Sequence, residues 1–286
     1  MCEIGVNFNN LTFYNEQMRK SMEDKLFFLK HLPAEDNYVF VDFGCADGTM
    51  LNILSDMLEH NKYKYSYIGY DISDTMINLA KANFHGDADT DIHYFTDWEN
   101  VEKQLKTYIA PNAYYAPKKY VLILSSVIHE VYSYSNMKQI FEFWHHVTNT
   151  NFDYIVVRDM CPTKDIDRPT DEFMLHTLNN MIRDHKPYNT LINDFEAIYG
   201  SIENNKNFVH FLLKYRYQIN WEREVKENYF PIYVEDLLSA ITGEEKYRIM
   251  YMKRFIVPFI KQQIYNDFRV DVKDFTHIKA IFKKSF

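Results

Sequence analysis

Between residues 36 and 160 the chain alternates short apolar runs with amphipathic stretches five times, and no other feature constrains the fold as tightly. The run Tyr38–Phe43 carries β-branched and aromatic residues and one acid, Asp42, the pattern of a strand buried on both faces. Residues 49 to about 59 then place Met50, Leu51, Leu54 and Leu58 on one helical stripe. Residues 65–70, 92–95, 120–124 and 154–157 repeat the strand pattern. Helices are expected from Ser73 or Asp74 to about 83, from about 98 to 108, and from 136 to about 147. Strands joined by helical crossovers of this length run parallel, so the expected fold class is α/β with a doubly wound, mostly parallel sheet. Upstream, residues 14–30 read as an amphipathic helix on Met18, Met22, Leu26 and Leu29, stopped at Pro33. Downstream, residues 163–245 are helical by periodicity, while residues 246–257 and 276–283 return to strand composition.

Charge and cysteine content narrow the function classes. Thirty-two Lys and Arg stand against 40 Asp and Glu, a formal charge of −8, which disfavours a protein whose main partner is a phosphate backbone. Cys2, Cys45 and Cys161 are odd in number and far apart, so they build neither a disulfide framework nor a zinc site. The first residues lack a basic region followed by an apolar run, and no apolar run approaches the ~20 residues that span a bilayer. A cytoplasmic protein without a membrane partner is expected. His145, His146 and His185 have no carboxylates at ligand spacing, and no metal is expected.

Glycine is scarce, 7 in 286, yet Gly44, Gly48 and Gly69 fall within 26 residues. The segment Asp42-x-Gly44-Cys45-Ala46-x-Gly48 joins a strand to a helix, an arrangement that brings a ligand against backbone at the carboxyl edge of a parallel sheet. The dinucleotide fingerprint needs Gly where Ala46 stands and again at Thr49. A P-loop needs a Lys that is absent. Asp42 repels phosphate and welcomes a cation.

Asp42-x-Gly44-x-Ala46-x-Gly48 resembles motif I of class I S-adenosylmethionine-dependent methyltransferases, with Ala at the central Gly. The resemblance extends to Gly69-Tyr70-Asp71-Ile72 on the second strand and Asp97-Trp98 after the third, covering residues 36–160. It implies a seven-stranded sheet whose core, residues 36–162, binds S-adenosylmethionine and releases S-adenosylhomocysteine. Residues 1–35 would form an N-terminal helical lid with Tyr14, Met18 and Met22. Residues 163–245 would be a helical insertion over the substrate, and residues 246–286 would complete the sheet. Asp71 would accept the ribose hydroxyls, with Ile72 beside it. Asp97 and Trp98 would meet adenine, and Ser125 and Ser126 would line the cofactor. As plain structure, Asp71 is a helix-entry residue and Asp97 an N-cap.

After the fourth strand, Ser125-Ser126-Val127-Ile128-His129-Glu130 is similar to the segment of small-molecule class I enzymes in which a His faces the acceptor. His129 and Glu130 are therefore the candidate catalytic residues, His129 as a base or a pocket residue; a His held by backbone in a helix cap is the plain alternative. The Asn/Asp-Pro-Pro-Tyr/Phe and Pro-Cys signatures of nucleic-acid methyltransferases are absent there. Cys161-Pro162 lies after the fifth strand and reads as a loop. Phe208, Phe211, Tyr215, Tyr217, Trp221, Tyr229 and Phe230 either form an acceptor pocket or pack as a helical core, and acids dilute the basic residues Lys214, Arg216 and Arg223. The expected activity is in-line methyl transfer to a small molecule. The alternatives are a nucleic-acid or modified-base methyltransferase, and a catalytically idle member of the fold that binds a partner.

Overall fold

The computed structural model describes residue 22 and residues 24–34, 37–58, 65–109, 118–183 and 186–285. Tyr14, Met18 and His185 lie outside them. Seven strands form one sheet in the order β3-β2-β1-β4-β5-β7-β6, and the chain divides into two compact units.

The first unit comprises residues 1–125 and 152–156. Its strands are β1 (Tyr38–Phe43), β2 (Ser66–Tyr70), β3 (Asp91–Phe95) and β4 (Lys119–Ser125), with the start of β5 (Tyr154–Met160). β1 pairs in parallel with β2 on one side and β4 on the other, and β2 pairs in parallel with β3. All six residues of β1 are buried, as its unbroken apolar run requires. The connecting helices are α1 (Thr49–Leu58), α2 (Asp74–Asn83) and α3 (Trp98–Thr107). Ser73 caps α2 by accepting the Met76 N–H, and Asp97 caps α3 by accepting the Glu99 N–H. Beneath the sheet a ladder of rings links Phe28, Phe40, Tyr65 and Tyr67 at centroid separations near 6.0 Å. Of the expected upstream helix, residues 14–21 and 23 lie outside the described residues; Met22 is buried, and Phe27–Lys30 form a 3-10 turn.

The second unit comprises residues 126–151 and 157–286. It holds α4 (Ile128–Tyr134), α5 (Met137–Asn149), the end of β5, α6 (Glu172–Arg183), α7 (Lys186–Tyr199), α8 (Asn205–Lys214) and α9 (Val234–Thr242). β6 (Tyr247–Phe255), α10 (Pro258–Phe268) and β7 (His277–Lys284) follow, with β6 and β7 antiparallel. α10 joins the two strands and starts on Pro258, where the missing N–H of the first helical turn costs nothing. Six of the seven aromatics at 208–230 are buried in one apolar cluster, Trp221 among them, whereas Tyr217 is 45% exposed, so the core reading of that group holds.

Close packing, not only turn geometry, explains one glycine. A Cβ on Gly69 would lie 2.5 Å from Tyr94 Cδ1 and 2.9 Å from Cys45 Sγ. Tyr94 and Cys45 are both buried, so neither yields freely. Gly69→Ala is expected to lower stability by about 1–3 kcal/mol, the range for overpacking, measured as the shift in urea midpoint; an unchanged midpoint would show that Tyr94 swings clear.

Candidate active site

In the first unit the carboxyl ends of β1, β2 and β3 stand level, with Phe43 opposite Tyr70 and Tyr70 opposite Phe95. The turn after β1 has three consecutive alternate residues in the left-handed region, Gly44 at φ 78°, Ala46 at 46° and Gly48 at 76°. Glycine adopts this freely; Ala46 does so at a cost of roughly 1–2 kcal/mol. The turn is tied to β2 because the Gly44 and Cys45 N–H groups both donate to the Tyr70 carbonyl, at 2.8 and 2.9 Å.

Asp71 is the knot between the two turns. Its Oδ2 accepts the Ala46 N–H at 3.0 Å and its Oδ1 accepts the Ser73 N–H at 2.9 Å. A carboxylate has about four acceptor positions, so two remain for a ligand's hydroxyls. Asp42 is 3% exposed. Burial pushes its carboxyl up to about 7, with Lys25 pulling down and the charge of Asp71 pushing further up. Four acids, Asp42, Asp47, Asp71 and Asp97, lie on these strand ends and turns, and the charge of Lys25 reaches Asp42 from outside them. That donor-poor, acceptor-rich set suits a cationic ligand bearing a diol and rejects a phosphate. S-adenosylmethionine has both features, and the residues present fit it.

The remaining expected contacts divide. Asp97 accepts the Glu99 N–H at 2.8 Å, so its carboxylate serves as the α3 cap. Trp98 is buried, its ring centroid 5.2 Å from those of both Phe43 and Tyr70, a core position rather than an open stacking face. Ile72 is 82% exposed. Ser125 Oγ is buried without a hydrogen-bond partner. Cys45 Sγ is buried, and burial pushes its thiol far up, which removes any nucleophilic role.

In the second unit, Ser126 adopts φ 58° and its N–H donates to the Arg158 carbonyl at 2.8 Å, while its Oγ accepts from Arg158 Nη1 at 3.3 Å. The next residues converge on Asp159. Its carboxylate accepts the N–H groups of Val127 at 2.9 Å, Ile128 at 2.7 Å and Met160 at 2.7 Å, and His129 Nδ1 lies 2.6 Å away. His129 Nε2 faces a Glu227 oxygen at 3.1 Å. Burial alone lowers an imidazole pKa; the Asp159 carboxylate, and then Glu227, override it and raise His129 to about 10. Both ring nitrogens are engaged, so His129 offers no free lone pair to a proton.

Glu227 is itself held from three sides. The buried Lys214 ammonium donates to the carbonyls of Glu224 and Glu227 and stands 4.0 Å over the Tyr229 ring. The Asn228 N–H donates to Ser133 Oγ at 2.8 Å, and the Tyr229 N–H to His210 Nε2 at 3.1 Å. Lys214 therefore belongs to the interior and not to a surface basic group. Glu130 is exposed.

A protein-family model described as a methyltransferase domain matches residues 14–179, more than half of the chain. The chain belongs to the methyltransferase-domain family. No curated protein matches the sequence. Among solved structures it is similar to a SAM-dependent methyltransferase from Archaeoglobus fulgidus, at 15% identity, covering 97% of this chain and 100% of that one, with TM-score 0.44. It is similar to a cyclopropane synthase from Mycobacterium tuberculosis, at 10% identity over 92% and 84% of the two chains, with TM-score 0.49. A geranyl diphosphate C-methyltransferase from Streptomyces coelicolor aligns at 10% identity over 99% and 87%, with TM-score 0.48.

Sequence reasoning missed two residues of this methyltransferase's second unit, Asp159 and Glu227. Asp159 had a signal, an acid at the carboxyl end of a buried strand. Glu227 had none, because only the folded helical region brings it to His129. Cys161, raised as a loop residue, is buried with its Sγ 3.5 Å from the Ile232 carbonyl, and burial pushes its thiol far up.

The Asp42 carboxyl sets a pH dependence. Its folded pKa of about 7 exceeds the ordinary 3.8, so the folded state binds the proton more tightly. The stability this gives is complete below the ordinary value and is lost as pH rises through about 7. Without cofactor, Asp42→Asn is expected to melt above wild type at about pH 8 and to lose that advantage near about pH 4. A difference in melting temperature that stays constant across that range would show that Asp42 is ionised throughout.

Proposed function

We propose that this methyltransferase acts on a small-molecule acceptor, with S-adenosylmethionine held in the first unit by Asp71, Asp42 and the turn from Gly44 to Gly48. The observation that carries the reading is the Asp71 carboxylate, fixed by the Ala46 and Ser73 N–H groups with acceptor positions to spare. The cofactor supplies a methyl group already activated on a sulfonium. What the chain must add is alignment and exclusion of water, which together account for a large share of such a barrier.

His129 and Glu130, following β4, are proposed as acceptor-side residues. With Nδ1 on Asp159 and Nε2 on Glu227, His129 is suited to positioning and not to taking a proton. An acceptor whose nucleophilic atom carries no proton at neutral pH, or loses it to water, fits this arrangement. The acidic net charge of −8, and the burial of Lys214 away from any surface track, support a small molecule over a phosphate backbone.

The test uses tritiated methyl donor and a cell extract divided into low-mass, RNA, DNA and protein fractions. Label is expected in the low-mass fraction, with a rate insensitive to salt between about 50 and 200 mM. Label confined to RNA or DNA, with a rate falling steeply over that range, would replace this reading with a nucleic-acid one. Cofactor binding with no label in any fraction would assign the chain to the idle class.

A further inference from the structure

In the second unit, one ligand atom from each of His129, Glu130 and Glu227 lies within 4.8 Å of the others, the one such grouping of three among the described residues. The sequence pointed to no metal, because Glu227 comes from a distant loop. We infer that His129, Glu130 and Glu227 form a site for a divalent transition-metal ion, of the class of Zn²⁺ or Mn²⁺, with Asp159 as the residue that orients the histidine.

Four observations carry this. The first is spacing. Two ligands about 2.1 Å from one ion and adjacent around it stand roughly 3.0–3.4 Å apart, and His129 Nε2 and Glu227 are 3.1 Å apart. The exposed Glu130 side chain, its ligand atom within 4.8 Å of the other two, is the one that has to close in. The second is tautomer. Asp159 Oδ1 at 2.6 Å from Nδ1 keeps the proton on that nitrogen, which leaves Nε2 as the ligand atom; a carboxylate behind a metal-bound imidazole is the usual outer-sphere partner.

The third is rigidity. Asp159 is fixed by three backbone N–H groups, and Glu227 by Lys214, Ser133 and His210 acting on its own and the next two residues. Such support is what a metal site needs, because ligand positions must hold to within a few tenths of an ångström. The fourth is charge. Asp159 and Glu227 are almost fully buried on either side of one imidazole, with Glu130 and Glu224 beside them. The buried Lys214 ammonium, bonded to backbone carbonyls, and Arg223, bonded to Tyr134, both act on the Glu224 and Glu227 carboxylates, so with the imidazolium three cations face four carboxylates. A Glu224 oxygen is buried without a hydrogen-bond partner. The carboxylates outnumber the cations that reach them, and a doubly charged ion redresses that.

Imidazole with two carboxylates matches the ligand preferences of zinc, manganese or ferrous iron rather than the soft thiolate set. The ion would take the place of the proton shared between Nε2 and Glu227, releasing that proton to solvent. Three protein ligands leave at least one coordination position open on the exposed Glu130 side. That position would take water or an oxygen-bearing small molecule. The inference is independent of which acceptor is methylated.

The test is metal binding by the intact chain, freed of metal with a chelator and then dialysed, using Zn²⁺ and Mn²⁺ alone as probes. Elemental analysis after gel filtration is expected to give one ion per chain for wild type, and calorimetry a single binding step. Glu130→Gln, on an exposed side chain that leaves the fold intact, is expected to weaken binding at least about tenfold. Asp159→Asn is expected to weaken it roughly 10- to 100-fold by releasing the imidazole. Glu227→Gln should abolish stoichiometric uptake. Wild type that retains no ion, or uptake that is equal in wild type, Glu130→Gln and Glu227→Gln, would overturn the site and leave His129 as an imidazolium paired with two carboxylates.

Discussion

A carboxylate wholly or partly removed from water must be met by donors or by a cation, and three aspartates at or just past the carboxyl ends of parallel strands, Asp71 half-buried and the other two buried, meet that demand in different ways. Asp71 is met by backbone N–H groups of two separate turns, and in meeting them it welds the turn after β1 to the start of α2. Asp159 is met by three N–H groups and an imidazole, and so fixes the first turn of α4. Asp42 is deeply buried at the end of β1, and its raised pKa records the cost. The first two build the backbone around the site. The third, acted on by the charge of Lys25, leaves a demand that a cationic ligand would help to satisfy, which is why the proposed ligand is a sulfonium cofactor and not a phosphate.

The same constraint explains why so much of the first unit was legible from residue order. Parallel strands buried on both faces are written as unbroken apolar runs, and the residue ending each run is where the polar chemistry sits. Asp42 and Asp71 were therefore visible as strand-terminal acids, and Gly44 and Gly48 as the residues that permit the turn. At Asp97 the structure shows the plain alternative that the sequence offered, an N-cap that accepts the Glu99 N–H. An Asp directly before a helix is first a cap, and the structure uses it so. Trp98 has a similar explanation: a large ring at the first turn of α3 buries more apolar surface against Phe43 and Tyr70 than it would gain at an open edge.

The second unit was less legible for a physical reason. Periodicity gives helices and their apolar faces but not which helix ends meet, so the partner of His129 could not be named. Glu227 lies between a single helical turn, Trp221–Glu224, and α9, and its position depends on Lys214, Ser133 and His210. None of these contacts has a local signature. The buried Lys214 read as one charge in a mixed surface run, because composition cannot distinguish an exposed lysine from one folded over Tyr229. α10 was not anticipated either. Its residues are only weakly amphipathic, and the strand composition on both sides of it masks the Pro258 start.

The central claim, that Asp71 and the turn after β1 bind the methyl donor, is tested most directly by calorimetry with S-adenosylhomocysteine on wild type and Asp71→Ala. Wild type should show a single-site heat, and the variant should bind about 1.5–3 kcal/mol more weakly, the range for hydrogen bonds to a charged group. No heat from folded wild-type protein at ligand concentrations near ~1 mM, where even weak binding of about −4 kcal/mol is seen, or equal affinity in the two proteins, would contradict it.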